Sequence, residues 1–194
     1  MSEMKVYPAF TNFIAIDNIT IDPKPIENFC YELQKNDRGR IISNLGGWQS
    51  NDIKLGDILP QLFYEVKERV DELHFYFEFK DELVSTIDNC WVNINKNGDS
   101  NAVHDHGQGL FSGVYYVKSE KDSGDIVLRT PVAAHSYAIT QDFIKTNNPF
   151  NSSIQRFTPK TGDLVLFPSW ILHYVEPNLS GEDRISIAFN TYLK

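Results

Sequence analysis

The sequence predicts an α+β domain, with helices first and a jelly roll, sandwich or barrel of short strands after them. Two observations carry this. Residues 56–79 place apolar side chains at near-helical spacing. From residue 86 the period shortens, and Gly, Pro, Asn and Asp cut the chain into runs of strand length. Helices gathered before strands read as a cover over one face of the sheets.

Taken in order, "VYPAFTNFIAIDNI" alternates like one or two short strands. In residues 25–37 Pro25 marks a helix start, and Ile26, Phe29, Cys30 and Leu33 share one side. "SNLGGWQSND", 43–52, is polar and glycine-rich and reads as a loop. Its Trp48–Gln49 pair is a candidate for either packing or a substrate pocket. In 56–79 Ile58, Leu59, Leu62, Phe63, Val66, Val70, Leu73 and Phe77 form the apolar stripe of one long helix. Asp57 is its expected N-cap, Pro60 lies in its first turn, and His74 faces solvent. "TIDNCWVNIN", "LFSGVYYVKS", "GDIVLRT", "GDLVLFPS", "HYVEP" and "RISIAFNTYL" follow as strands. Residues 131–157 fit no period and read as a long loop or insertion. No linker or repeat divides the chain, so residues 1–194 are expected to form one domain, a helical cover over about 1–84 and a β core over about 85–194.

Composition narrows the function classes. The net charge of −8 argues against nucleic acid or an anionic membrane as a partner. No apolar run reaches the roughly 18 residues of a membrane span, and the first residues lack a secretory-signal layout. Cys30 and Cys90 are too few and too far apart for a zinc ribbon or a disulfide framework, and a reducing cytoplasm is the expected setting.

The chemistry concentrates in "NGDSNAVHDHGQG", 97–109. On extended backbone His104 and His106 point the same way, and Asp105 points away. A third imidazole, His173, follows the strand-like "DLVLF" and a Pro168 turn. Three imidazoles from two strands can bind a divalent metal and leave coordination positions open. Eleven residues on, Arg184 and Ser186 share a strand face, where a guanidinium fork and a hydroxyl suit a carboxylate.

These residues resemble the Fe(II)- and 2-oxoglutarate-dependent oxygenases, and most closely a bacterial and phage branch of the prolyl-hydroxylase-like superfamily. The likeness runs through "GGWQS", "WVNIN", "HDH", "SGVYYV", "SGDIVL", the stretch Pro159 to Phe167, and Arg184-x-Ser186. It implies a double-stranded β-helix, the jelly-roll core. It implies iron(II) held by His104, His106 and His173, and 2-oxoglutarate clamped by Arg184 and Ser186 with Asn95 assisting. The implied reaction consumes dioxygen and hydroxylates a small-molecule or peptidyl substrate. The usual pattern in this superfamily is His-x-Asp or His-x-Glu with a distant His. Here His106 fills the carboxylate slot, unless a bulge turns Asp105 inward.

Two other readings stand beside it. The spacing of Gly98, His104, His106, Gly162, Pro168 and His173 also resembles cupins, which implies a metal dioxygenase with no keto acid. The cupin glutamate is missing, because Leu110 and Phe111 occupy its slots. A jelly-roll binding module with no catalysis is the other. Tyr115 and Tyr116 must face opposite sides of their strand, and the sequence does not say which faces the interior.

Overall fold

The computed structural model describes residues 4–7 and 9–194, with the side chains of 134, 135 and 141 aside. Its elements are β1 (Ala15–Asn18), α1 (Pro23–Asn36), β2 (Asn44–Leu45), β3 (Trp48–Gln49), α2 (Leu55–Ile58), α3 (Pro60–Tyr76), β4 (Ser85–Asn95), β5 (Ser100–His104), β6 (Phe111–Lys118), β7 (Ile126–Arg129), α4 (Ala133–Ala138), β8 (Ile154–Phe157), β9 (Asp163–Pro168), β10 (His173–Val175) and β11 (Arg184–Leu193). Two antiparallel sheets face each other. One has six strands in the order β1-β9-β6-β11-β4-β3, and the other five in the order β2-β5-β10-β7-β8. This is the double-stranded β-helix.

Strand alternation builds the two cores. On β9, Leu164 and Leu166 face α1 and α3, while Val165 and Phe167 face the space between the sheets. On β6, Tyr115 and Val117 face the helices, and Tyr116 packs between the sheets with Ile126, Leu128 and Ile171. Under the helices, Ile26, Cys30, Leu62, Val66 and Val70 close over Val92, Ile94, Ile185 and Ile187. Fully burying one such side chain contributes roughly 1.5–3 kcal/mol. Among the described residues no helix is long and apolar enough to cross a membrane.

Several elements depart from the sequence reading. The long helix is two helices. Leu59, ahead of Pro60, is held at φ −129° and ψ 65°, because the proline ring clashes with a helical residue before it. Asp57 therefore lies inside α2 and caps nothing, while Pro60 opens α3. Helix α1 starts at Pro23 rather than Pro25, and the Asp22 carboxylate accepts from the Lys24 N–H at 3.0 Å. Both prolines fit because the first turn has no internal use for their missing N–H groups. The 43–52 stretch is not wholly a loop, since β2 and β3 join opposite sheets. Gly47 turns between them at φ 50°, and a Cβ there would sit 2.7 Å from Asn95 Nδ2. The segment before residue 84 is thus not only a helical cover; it supplies β1, β2 and β3. Within 131–157, α4, a 3-10 turn at Gln141–Phe143 and the edge strand β8 replace an unbroken loop. His74 is half-buried, with Nδ1 3.2 Å from Ser85 Oγ.

Candidate metal centre and carboxylate pocket

His104 ends β5 and lies directly opposite His173 on β10, which itself pairs with β7 at Leu128. Cross-strand partners point to one face, so the two rings meet with centroids 4.3 Å apart. His106 lies two residues beyond the last ladder position. Its N–H donates to the Ser169 carbonyl at 3.0 Å, which keeps the chain extended and returns its ring to the same side. The His106 ring is 5.0 Å from both other rings. One nitrogen of each imidazole lies within 4.8 Å of those of the other two.

Two backbone contacts set the tautomers. His104 Nδ1 meets the Ala102 carbonyl at 2.7 Å, and His173 Nδ1 meets the Ile171 carbonyl at 2.9 Å. A carbonyl only accepts, so each Nδ1 carries its proton and donates it. That leaves both Nε2 lone pairs free toward the shared space. Burial disfavours the charged form of all three rings. It pushes His173 down to about 3 and His106 to about 4, with a positive His104 adding to both, and it lowers His104 itself. Neutral imidazoles are what a metal needs. Asp105 takes no part in the cluster. Its side chain accepts from the Gly107 N–H at 3.0 Å, turned to solvent.

These shifts fix a pH dependence for the metal-free protein. The folded-state values lie below the ordinary histidine value of about 6.5, so the unfolded chain binds more protons as the pH falls. The stability contribution is complete above about pH 6.5 and is lost as the pH drops through 4 toward 3. Denaturant midpoints should fall with acidification over that range, and should fall less steeply in His106→Gln.

Beyond the histidines the cavity becomes polar. Arg184, Ser186 and Ala188 on β11 lie opposite Asn95, Asn93 and Trp91 on β4, and Ser186 also lies opposite Tyr116 on β6. All seven line the cavity with the three histidines. Arg184 is 1% exposed. Its Nη1 donates to the carbonyls of Ser123 and Glu176, and burial lowers its pKa. The same cavity holds four buried polar atoms with no partner: Arg184 Nη2, Asn95 Nδ2, Asn93 Oδ1 and the Tyr116 hydroxyl. Each unmet group costs about 1–3 kcal/mol, so a polar, partly anionic ligand there relieves several at once. Tyr116, Trp91 and Asn93 are cavity residues that the sequence reading did not assign. The choice between Tyr115 and Tyr116 depends on register. That register, Tyr116 opposite Ser186 and Tyr115 opposite Ile187 and Leu164, depends on partners distant in the chain and has no signature in the sequence.

A profile of the family described as "Putative 2OG-Fe(II) oxygenase" matches residues 89–190. The chain belongs to this family. It is a 2-oxoglutarate-dependent oxygenase that uses iron(II), and the family match decides against the cupin and binding-module readings. No curated protein matches it in sequence. Among solved structures it is similar to a viral collagen prolyl hydroxylase from Paramecium Bursaria Chlorella virus-1 in its 2-oxoglutarate complex, with TM-score 0.59 and 13% identity over 92% of this chain and 94% of that one. It is similar to a Pseudomonas putida prolyl-4-hydroxylase, with TM-score 0.59 and 15% identity over 93% of each chain. A third is a Trichoplax adhaerens prolyl hydroxylase bound to a hypoxia inducible factor peptide, with TM-score 0.61 and 15% identity over 92% of this chain and 83% of that one. These likenesses show that the overall fold is shared over most of the chain.

Proposed function

We propose that His104, His106 and His173 hold the iron(II), and that Arg184, Ser186, Asn95 and Tyr116 receive 2-oxoglutarate, so that the oxygenase hydroxylates a C–H bond of a small-molecule or peptidyl substrate. One observation carries this reading. Three neutral imidazoles converge in a cavity that is also lined by a buried arginine with an unmet Nη2. A keto acid, with a chelating group at one end and a carboxylate at the other, suits both sets of groups.

The histidines fit the metal. Metal–imidazole bonds are about 2.0–2.1 Å long, and small ring rotations bring three nitrogens already within 4.8 Å of one another to such a centre. Asp105 would have to give up its turn bond to Gly107 and swing to the opposite side of the chain, which supports His106 as the third ligand. Three neutral ligands leave both metal charges uncompensated, and the keto acid's two carboxylates would offset two of the three positive charges that the metal and Arg184 bring to the cavity. Iron(II) with 2-oxoglutarate supplies the oxidising power, drawn from dioxygen as the keto acid decarboxylates to succinate. The protein's own part is positional. Arg184 presents its unpartnered Nη2 group, the Ser186 hydroxyl supplies a further donor, and the apolar wall of Val114, Ile126 and Val175 keeps water out. Cys30 and Cys90 are free and buried, which supports a reducing setting such as the cytoplasm.

The test is the third ligand. His106→Asp keeps a donor on the same face and restores the carboxylate usual in the superfamily. It should bind iron(II) and shift the visible band of the anaerobic iron–keto-acid complex, while His106→Ala should lose most of its iron affinity. Wild-type affinity and spectrum in both variants would remove His106 from the site.

A further inference from the structure

The polar row that floors the cavity at Tyr116, Ser186 and Asn93 continues past it toward the sheet edge. Asn93 faces Ser186 on one side and Gln49 of β3 on the other, and Gln49 in turn is bridged to Arg40. Directly paired residues share a face. Arg40, Gln49, Asn93, Ser186 and Tyr116 therefore form one row across the inner surface of the six-stranded sheet and past its edge. Three groups at the outer end are buried without a partner: Arg40 Nε, Gln49 Oε1 and Asn93 Oδ1. Gln49 is only 3% exposed. An interior amide left unmet in this way is costly unless something visits it.

This outer end lies beside the metal centre. The Arg40 guanidinium carbon sits 5.9 Å from the centroid of the Trp91 ring, and that ring is 5.4 Å from His106. It also lies two strands away from Arg184, since β4 separates β3 from β11. Neighbouring strands are about 4.8 Å apart, so a keto acid lying on β11 leaves Gln49 and Arg40 unmet. The charge is informative as well. Arg40 Nη2 is 2.5 Å from Asp52, so the cation already has its counter-ion. What Arg40 turns to the subsite is a single N–H donor with no net charge, next to one or two carbonyl acceptors.

Resting on the oxygenase reading above, we propose that Arg40, Gln49 and Asn93 form a primary-substrate subsite for a neutral amide group, whose carbonyl accepts from Arg40 Nε and whose N–H donates to Gln49 and Asn93, with Trp91 packing against its apolar flank. The substrate class is then an amide-bearing molecule, such as a peptide segment or carboxamide, rather than a free carboxylate.

Saturation-transfer NMR on the protein with zinc(II) and 2-oxoglutarate tests this without catalysis. The probe is N-acetylglycine N-methylamide, compared with methyl acetoxyacetate, its diester analogue that lacks both N–H donors, and with acetate. Transfer is expected to the keto acid and to the amide probe, and not to the ester or to acetate at this subsite. Gln49→Met and Arg40→Lys should each cut probe transfer about fivefold, the loss of one hydrogen bond, and leave transfer to 2-oxoglutarate unchanged. The lysine retains the charge for Asp52 but has no Nε–H, so it isolates the donor without disturbing the fold. Probe transfer without keto-acid transfer would count against the oxygenase pocket and leave the subsite standing. No probe transfer, equal transfer to the ester or acetate, or probe transfer unchanged in both variants would overturn the subsite. So would loss of keto-acid transfer in either variant, since the row would then belong to the keto-acid pocket.

Discussion

Arg184→Ala is expected to weaken 2-oxoglutarate binding by roughly 2–3.5 decades while iron affinity stays close to wild type. Losing one partner of a buried charge-assisted pair costs about 3–5 kcal/mol, and each decade of affinity is about 1.4 kcal/mol. The geometry places Arg184 where that full cost applies. The side chain is almost wholly buried, with Nη1 tied to two carbonyls and Nη2 without a partner. Those carbonyl contacts hold the guanidinium in place, so the ligand need not order it. Arg184→Lys should fall between, because an ammonium supplies charge but not the planar fork. Calorimetric titration of 2-oxoglutarate into the oxygen-free, iron-loaded protein and both variants reads the difference. Equal affinities in all three would remove Arg184 from the keto-acid pocket.

The second large effect is at His173. Replacing it by alanine should lower iron(II) affinity by more than the 10–100-fold that loss of a mere supporting residue typically costs, because only two imidazoles remain. His173 is the central member of the cluster. It pairs directly with His104, its ring lies 4.3 Å from that of His104 and 5.0 Å from that of His106, and its tautomer is fixed by Ile171. His74→Ala is the matching control, since that ring contacts Phe79 and Ser85 away from the cluster and should leave iron binding intact. Competition with a coloured iron chelator measures both. Near wild-type affinity in His173→Ala would contradict the three-histidine site.

The histidine spacing was legible because a period of two survives two residues past the strand end, where the His106 N–H still meets the Ser169 carbonyl. The Arg184–Ser186 pair was legible for the same reason. What the sequence hid depended on partners distant in the chain. Pairing with β11 and β9 decides which of Tyr115 and Tyr116 faces the interior, and nothing local to "GVYYV" encodes it. Strand β3 is two residues long and looks like loop. Its identity comes from pairing with β4, and that pairing turns Gln49 inward beside Asn93 while Trp48 joins the helices. The helix break at Leu59 was within reach, since Pro60 dictates it, but the unbroken apolar stripe masked it. Strand β8 escaped because, at the sheet's edge, "IQRF" buries too little to show a pattern.

The most direct test of the account is an anaerobic iron(II) titration of the wild-type protein, with and without 2-oxoglutarate, followed by visible absorbance. The account predicts a band that appears only when both are present and saturates at one iron per chain. Iron binding with no keto-acid-dependent band, or no iron binding at all, would contradict it.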